Sequence, residues 1–143
     1  MDTSLVTLVV DDDATTRFLT CRLLQREQVP GQVVEAGDGQ QALNWLQSWC
    51  AASPSPTPIL VLVDINMPVM DGVEFLHQQQ ALPPTYRQLL TTVVVSSSAA
   101  ATDKQRVQAL ANAYVTKPLT AAVLHQVVQQ HLTRCGLTSY GEQ

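Results

Sequence analysis

At 143 residues with a 45% apolar fraction, the chain matches one domain with one sizeable core and leaves no room for a second. A net charge of −4 supplies no basic stripe for nucleic acid or anionic lipid, and Cys21, Cys50 and Cys135 are too scattered for a disulfide framework or metal-ligand spacing. No basic region precedes the first apolar run and no apolar stretch nears the roughly 20 residues that span a bilayer, so a soluble, cytoplasmic protein in a reducing setting is expected, with no direct nucleic acid partner and no membrane insertion.

Leu5 to Val10 is an apolar run broken only by Thr7, and it ends at Asp11-Asp12-Asp13 as a first buried strand. Ala14 to Gln28 carries Thr16, Leu19, Leu23 and Leu24 at helical spacing and is closed by Pro30-Gly31. Gln32 to Ala36 is short and β-prone; Gly37-Asp38-Gly39 then turns into a second helix with Ala42, Trp45, Leu46 and Trp49 on one face. Alternate prolines from Pro54 to Pro58 make an extended connection with no chemical role.

Ile59 to Val63 is a run of five aliphatic residues without alternation, the pattern of a strand buried on both faces of a parallel sheet. Asp64 stands at its carboxyl end. Pro68 and Gly72 limit the regularity of the following loop, and Asp71-Gly72-Val73-Glu74 has the spacing of a capping box opening a third helix, roughly Val73 to Gln80. Pro83-Pro84 forces a loop, Thr92 to Val95 forms a fourth strand ending at Ser96, and Thr102 to Leu110 a modest fourth helix. Ala113 to Val115 is a brief fifth strand ending at Thr116-Lys117-Pro118, and Thr120 to Arg134 an amphipathic last helix stopped near Gly136. The domain therefore spans 1–135, with a short tail over 136–143. Trp45 and Trp49 are expected in the core and His77, His125 and His131 at the surface.

Five strands alternating with five helices predict a single α/β domain, a doubly wound parallel sheet of flavodoxin-like order 2-1-3-4-5 with its switch point between strands 1 and 3. Asp11, Asp12 and Asp64 then converge at one sheet edge, with Ser96 and Lys117 beside them. Two like charges about 4 Å apart repel by on the order of 4 kcal/mol at an effective dielectric of about 20, and a divalent cation relieves that repulsion. Oxygen-only ligands suit Mg²⁺ or Mn²⁺ rather than zinc. A carboxylate beside a hard metal, an ammonium and a hydroxyl donor is a nucleophile equipped for phosphoryl transfer, with an aspartyl phosphate as product.

Val9-Val10-Asp11-Asp12, the loop from Asp64 to Gly72, Val94-Val95-Ser96 and Tyr114-Val115-Thr116-Lys117-Pro118 occur in this order, each behind its strand. Together they resemble the receiver domains of bacterial response regulators, from about Leu5 to Leu132. The resemblance implies that Asp64 accepts a phosphoryl group from a phosphohistidine on a sensor histidine kinase or histidine phosphotransfer protein. It also implies that Asp12 and Asp64 bind Mg²⁺ directly with the backbone carbonyl of Asn66, while Asp11 acts through water. Ser96 and Tyr114 match a hydroxyl-and-aromatic switch read by a downstream effector protein on the face of the fourth helix, fifth strand and last helix. Asp13 adds a further acid, either solvent-exposed, which is expected, or a second ligand acting through water, and it also suits the cap of the first helix. Leu110-Ala111-Asn112-Ala113 lacks the glycine usual before strand 5.

Two other classes compete. A Mg²⁺-dependent aspartyl-phosphate hydrolase of the haloacid dehalogenase type wants an aspartate two positions after its nucleophile, where Asn66 stands; slow self-dephosphorylation, tuned by Asn66 and Ser98, is expected instead. A flavin-binding domain needs a phosphate loop after strand 1, where Asp11 to Asp13 repel phosphate. The chain is either a stand-alone receiver or one detached from a larger kinase or output protein.

Overall fold

The computed structural model describes residues 5–52, 57–65, 67, 70–97 and 101–136, apart from the side chains of residues 101 and 103. Asn66, Pro68, Ser98, the prolines at 54 and 56 and the tail beyond 136 lie outside the described residues.

Five strands form one parallel sheet: β1 (Val6–Val10), β2 (Gln32–Ala36), β3 (Ile59–Val63), β4 (Leu90–Ser96) and β5 (Ala113–Thr116), in the order β2-β1-β3-β4-β5. The helices are α1 (Ala14–Arg26), α2 (Gly39–Ala52), α3 (Gly72–Gln79), α4 (Pro84–Arg87), α5 (Ala101–Val107) and α6 (Ala121–Arg134). The predicted α/β class and strand order hold. The helix count rises from five to six among the described residues, because the loop expected at Pro83-Pro84 includes a single turn with Pro84 at its first position. Proline there has a helical φ already and gives up only an N–H that no helical carbonyl would accept.

The β3 residues are all buried, and alternate positions feed two separate cores. On one face Leu8, Val10, Val61, Val63 and Val94 pack with Leu46, Phe75 and Leu76 from α2 and α3. On the other, Val9, Leu60, Leu62 and Val93 pack with Leu24 of α1 and Leu124, Val128 and Leu132 of α6. Each fully buried aliphatic or aromatic side chain contributes about 1.5–3 kcal/mol, so a one-residue slip of a central strand would be heavily penalised. Trp49 is buried and Trp45 packs half-buried against the same core, as expected. The three cysteines are free thiols, and no helix of the described residues is long and apolar enough to cross a membrane.

Three expectations fail. Leu19 is 58% exposed rather than on the inner face of α1, where Leu24 alone is fully buried; Phe18 beside it is 59% exposed. His131 is completely buried rather than at the surface. It falls on the inward stripe of α6 with Leu124, Val127 and Val128, seven, four and three residues earlier, and its Nδ1 lies 2.6 Å from Thr91 Oγ1. β4 also begins two residues earlier than predicted, at Leu90 instead of Thr92. Thr91, outside the predicted strand, and Thr92, its predicted first residue, are buried and satisfied by Arg134 and His131 on one face and by Gln79 on the other.

Candidate functional site: an acidic cluster at the switch point

Register brings the acids together. Val10 pairs with Val63 across β1 and β3, so the next residue on each strand, Asp11 and Asp64, leaves the sheet at the same level. The Asp64 N–H donates to the Val10 carbonyl at 3.0 Å, which holds the two strand ends side by side. Asp11 and Asp64 are buried, Asp12 is exposed, and carboxylate oxygens of all three lie within 4.8 Å of one another. The loop that presents Asp64 depends on Gly72: a Cβ there would stand 2.4 Å from the Asp64 carbonyl oxygen and 2.7 Å from Ile65 Cα. Asp71 caps α3 as the capping-box spacing predicts, its side chain accepting from the Glu74 N–H at 2.9 Å.

Lys117 answers the acids. Ser96 pairs with Thr116 at the ends of β4 and β5, and the Lys117 N–H donates to the Ser96 carbonyl at 2.7 Å. Its ammonium lies 2.9 Å from Asp11 Oδ2 and 3.4 Å from Asp64 Oδ2. Partial burial by itself lowers the Lys117 pKa, but its hydrogen bond to Asp11 and the charges of Asp64 and Asp11 outweigh it, so the net shift is upward and the group stays cationic. Asp11 also accepts the Asp13 N–H on Oδ1 at 2.9 Å, and Arg17 Nη1 donates to the Asp11 carbonyl at 2.7 Å. Asp13 is exposed and caps α1, accepting from the Thr15 N–H and the Thr16 hydroxyl; the latter bond, foremost, holds its carboxyl below the usual range.

Ser96 closes β4 and is fully buried. Tyr114, in β5, is half-buried, with Lys104 Nζ of α5 5.7 Å from its ring centroid. Without a glycine before β5, Asn112 makes the turn: its N–H donates to the Thr92 carbonyl and its Oδ1 accepts the Thr92 N–H. Asp11, Asp12, Asp64 and Lys117 are thus brought together, with Ser96 at the same edge and Tyr114 farther down β5; the predicted ligand Asn66 lies outside the described residues.

A cavity of about 420 Å³ opens beside the cluster, lined by Asp11, Asp64 and Lys117 at one end and by Leu19 and Leu23 of α1 along one wall. Leu19, and with it Phe18, is what the sequence reading missed. The only signal was an apolar pair too far round the helix from Leu24 to share its inward face.

The family model for the response regulator receiver domain matches residues 7–129. The chain belongs to this family. A receiver of this kind is 34% identical over 116 residues to the alkaline phosphatase synthesis transcriptional regulatory protein SphR of Synechococcus elongatus, covering 78% of this chain and 42% of SphR. It is 29% identical over 122 residues to a probable chemotaxis protein CheY of Rhizobium etli, covering 85% of this chain and 88% of that protein. A protein-glutamate methylesterase/protein-glutamine glutaminase of Azospirillum brasilense matches 54% of the chain at 39% identity, and this match spans only 18% of the methylesterase. The chain thus spans less than half the length of two of these relatives. Among solved structures, a two-component response regulator from Cytophaga hutchinsonii superposes with a TM-score of 0.77 at 26% identity, over 92% of this receiver and 99% of that chain. The Mn²⁺-bound form of response regulator Rcp1 superposes with a TM-score of 0.67 at 26% identity, over 96% of each chain.

Proposed function

We propose that this receiver is a phosphoacceptor of a two-component phosphorelay, and that Asp64 takes the phosphoryl group from a phosphohistidine on a sensor histidine kinase or histidine phosphotransfer protein. The observation that carries this reading is the Asp64 carboxylate at a buried strand end, with Lys117 on one of its oxygens and two further carboxylates within reach. An Asp64 oxygen attacks phosphorus, the P–N bond to the donor imidazole breaks with its electron pair returning to nitrogen, and an aspartyl phosphate remains. Lys117, already desolvated and cationic, faces the charge on the transferring oxygens, and the Ser96 hydroxyl donates to another of them.

Three carboxylates against one ammonium form a hard, oxygen-rich donor set that fits Mg²⁺ or Mn²⁺. Asp12, Asp64 and the Asn66 carbonyl would hold the ion directly and Asp11 through water; Rcp1, of the same fold, has been captured with Mn²⁺. When bound, the metal supplies positive charge to the phosphoryl oxygens. The exposed Leu19, at the wall of the cavity that reaches Asp64, and the exposed Phe18 next to it in α1 suit docking of the histidine-bearing partner.

For output, the Ser96 hydroxyl moves toward the phosphoryl group and Tyr114 turns in behind it. That changes the α5, β5 and α6 face seen by an effector protein. The reading is a signalling switch rather than an enzyme, with slow self-dephosphorylation tuned by Asn66 and Ser98. Incubation with Mg²⁺ and acetyl phosphate followed by intact mass tests it. One alkali-labile phosphoryl adduct that requires the metal and vanishes in Asp64→Ala is expected; an adduct persisting in Asp64→Ala, or none with wild type, overturns the assignment.

A further inference from the structure

Among the described residues, Asp12 is the one acid of the cluster whose carboxylate no neighbour holds. Asp11 accepts the Asp13 N–H on Oδ1 and Lys117 on Oδ2, and Asp64 shares Lys117. Asp12 is exposed, so its position is set by its backbone. The Asp11 carbonyl, the Asp12 nitrogen and the Asp12 Cα lie in one rigid peptide plane. Whatever fixes that carbonyl fixes where the Asp12 side chain starts.

Arg17 fixes it. From the beginning of α1 its Nη1 donates to the Asp11 carbonyl at 2.7 Å, while its Nε donates to Glu35 Oε1 of β2 at 3.3 Å. The Asp11 N–H donates in turn to the Ala36 carbonyl at 3.1 Å, so the end of β1 is gripped on both sides of the Asp11 Cα. The two Arg17 bonds leave from different nitrogens of one planar fork, which sets the orientation of the guanidinium as well as its place. Glu35 has a second effect. An uncompensated guanidinium this near a cation site would repel the ion, and the Glu35 carboxylate offsets that charge.

We propose that Arg17, steadied by Glu35, is a positioning residue for the divalent cation: through the Asp11–Asp12 peptide it aims the exposed Asp12 carboxylate at the space shared with Asp11 and Asp64. It touches neither the ion nor the phosphoryl group. The proposal rests on the reading of Asp12 as a direct ligand. The charge of Arg17 and its geometry act on the ion in opposite directions, which makes them separable. Charge alone predicts that removing Arg17 tightens Mg²⁺ binding; positioning predicts that binding weakens.

The test is a Mg²⁺ titration of the full chain followed on the backbone ¹⁵N–¹H signals of Asp12 and Asp13. These report affinity for the folded protein alone, separately from any loss of stability. Wild type is expected to shift saturably. Arg17→Met is expected to bind Mg²⁺ about tenfold more weakly, the low end of what losing a partner behind a metal ligand costs. Arg17→Lys keeps the charge but not the planar fork; it is expected to bind severalfold more weakly, and it serves if Arg17→Met does not fold. In Asp12→Asn, adding Arg17→Lys should change the residual affinity by less than about twofold, because the carboxylate that Arg17 aims is gone. Equal or tighter binding in the Arg17 variants, or an undiminished effect of Arg17→Lys in the Asp12→Asn background, overturns the proposal. A wild type with no saturable shift overturns the ligand reading itself, and this proposal with it.

Discussion

Lys117 and His131 are both partly or wholly withdrawn from water, and what faces each sets its charge in opposite directions. Lys117 lies between Asp11 and Asp64, so its pKa is raised despite burial; the stability this adds is present below the ordinary lysine value of 10.5 and is lost only as pH rises through the higher folded value. His131 lies beside Arg134 instead, and burial, aided by that charge, lowers its pKa to about 4. Its Nδ1 lies 2.6 Å from Thr91 Oγ1, which also accepts from Arg134, and its Nε2 is buried with no hydrogen-bond partner. The unfolded chain therefore binds a proton near pH 6.5 that the folded chain refuses until about pH 4. Stability should fall as pH drops through that window, by about 3 kcal/mol at its lower end. Thermal melts at stepped pH check this: the acid-side loss of Tm expected in wild type should be markedly smaller in His131→Gln.

The start of α3 ties an ordinary helix signal to the position of Asp64. Asp71 caps the helix, the Gly72 N–H donates to the Ile65 carbonyl at 2.7 Å, and the bare Gly72 Cα lets the Asp64 carbonyl approach. Gly72→Ala would gain helix propensity of about 1 kcal/mol but must push backbone, not a flexible side-chain tip, out of its way. The net effect expected is destabilisation of about 2 kcal/mol together with a clear fall in Mg²⁺-dependent phosphorylation by acetyl phosphate, as urea melts and intact mass would report. A variant that stays as stable and as reactive as wild type would show that the loop does not need this close approach. The capping-box spacing was legible in the chain. The contact between Gly72 and the carbonyl of Asp64 was not, because it joins residues across a loop rather than along a helix.

For the molecule as a whole, the acidic cluster is under-neutralised, and a bound divalent cation should add to global stability. At a hundredfold excess over Kd, Mg²⁺ is expected to stabilise the fold by about 2.7 kcal/mol, raising Tm by several degrees. Asp12→Asn removes a charge that is exposed, so metal-free stability should change by less than about 1 kcal/mol while the Mg²⁺-induced rise in Tm largely disappears. Thermal melts of both proteins with and without the ion measure the two effects separately. An Asp12→Asn protein that keeps the full Mg²⁺ response would remove Asp12 from the ligand set.

The α/β alternation, the strand order and the convergence of Asp11, Asp12 and Asp64 with Lys117 could be derived from the chain by itself. Each rests on local signals: unbroken aliphatic runs that demand burial on both faces, polar residues directly behind them, and turn residues between. Parallel pairing then carries every strand end to one edge. The amino edge was decided only in three dimensions. Thr91, Thr92, Gln79, Arg134 and His131 read locally as a polar strand start and helix ends, yet Thr91 is met by His131 and Arg134 on one face of the sheet and Thr92 by Gln79 on the other, and all but Arg134 are buried. Leu19 went the other way, a helical leucine left exposed because the inward face of α1 is taken by Leu24. A sequence pattern states what a residue prefers to touch, whereas a polar residue's burial depends on whether a partner from a distant segment arrives to satisfy it, and that is settled by packing alone.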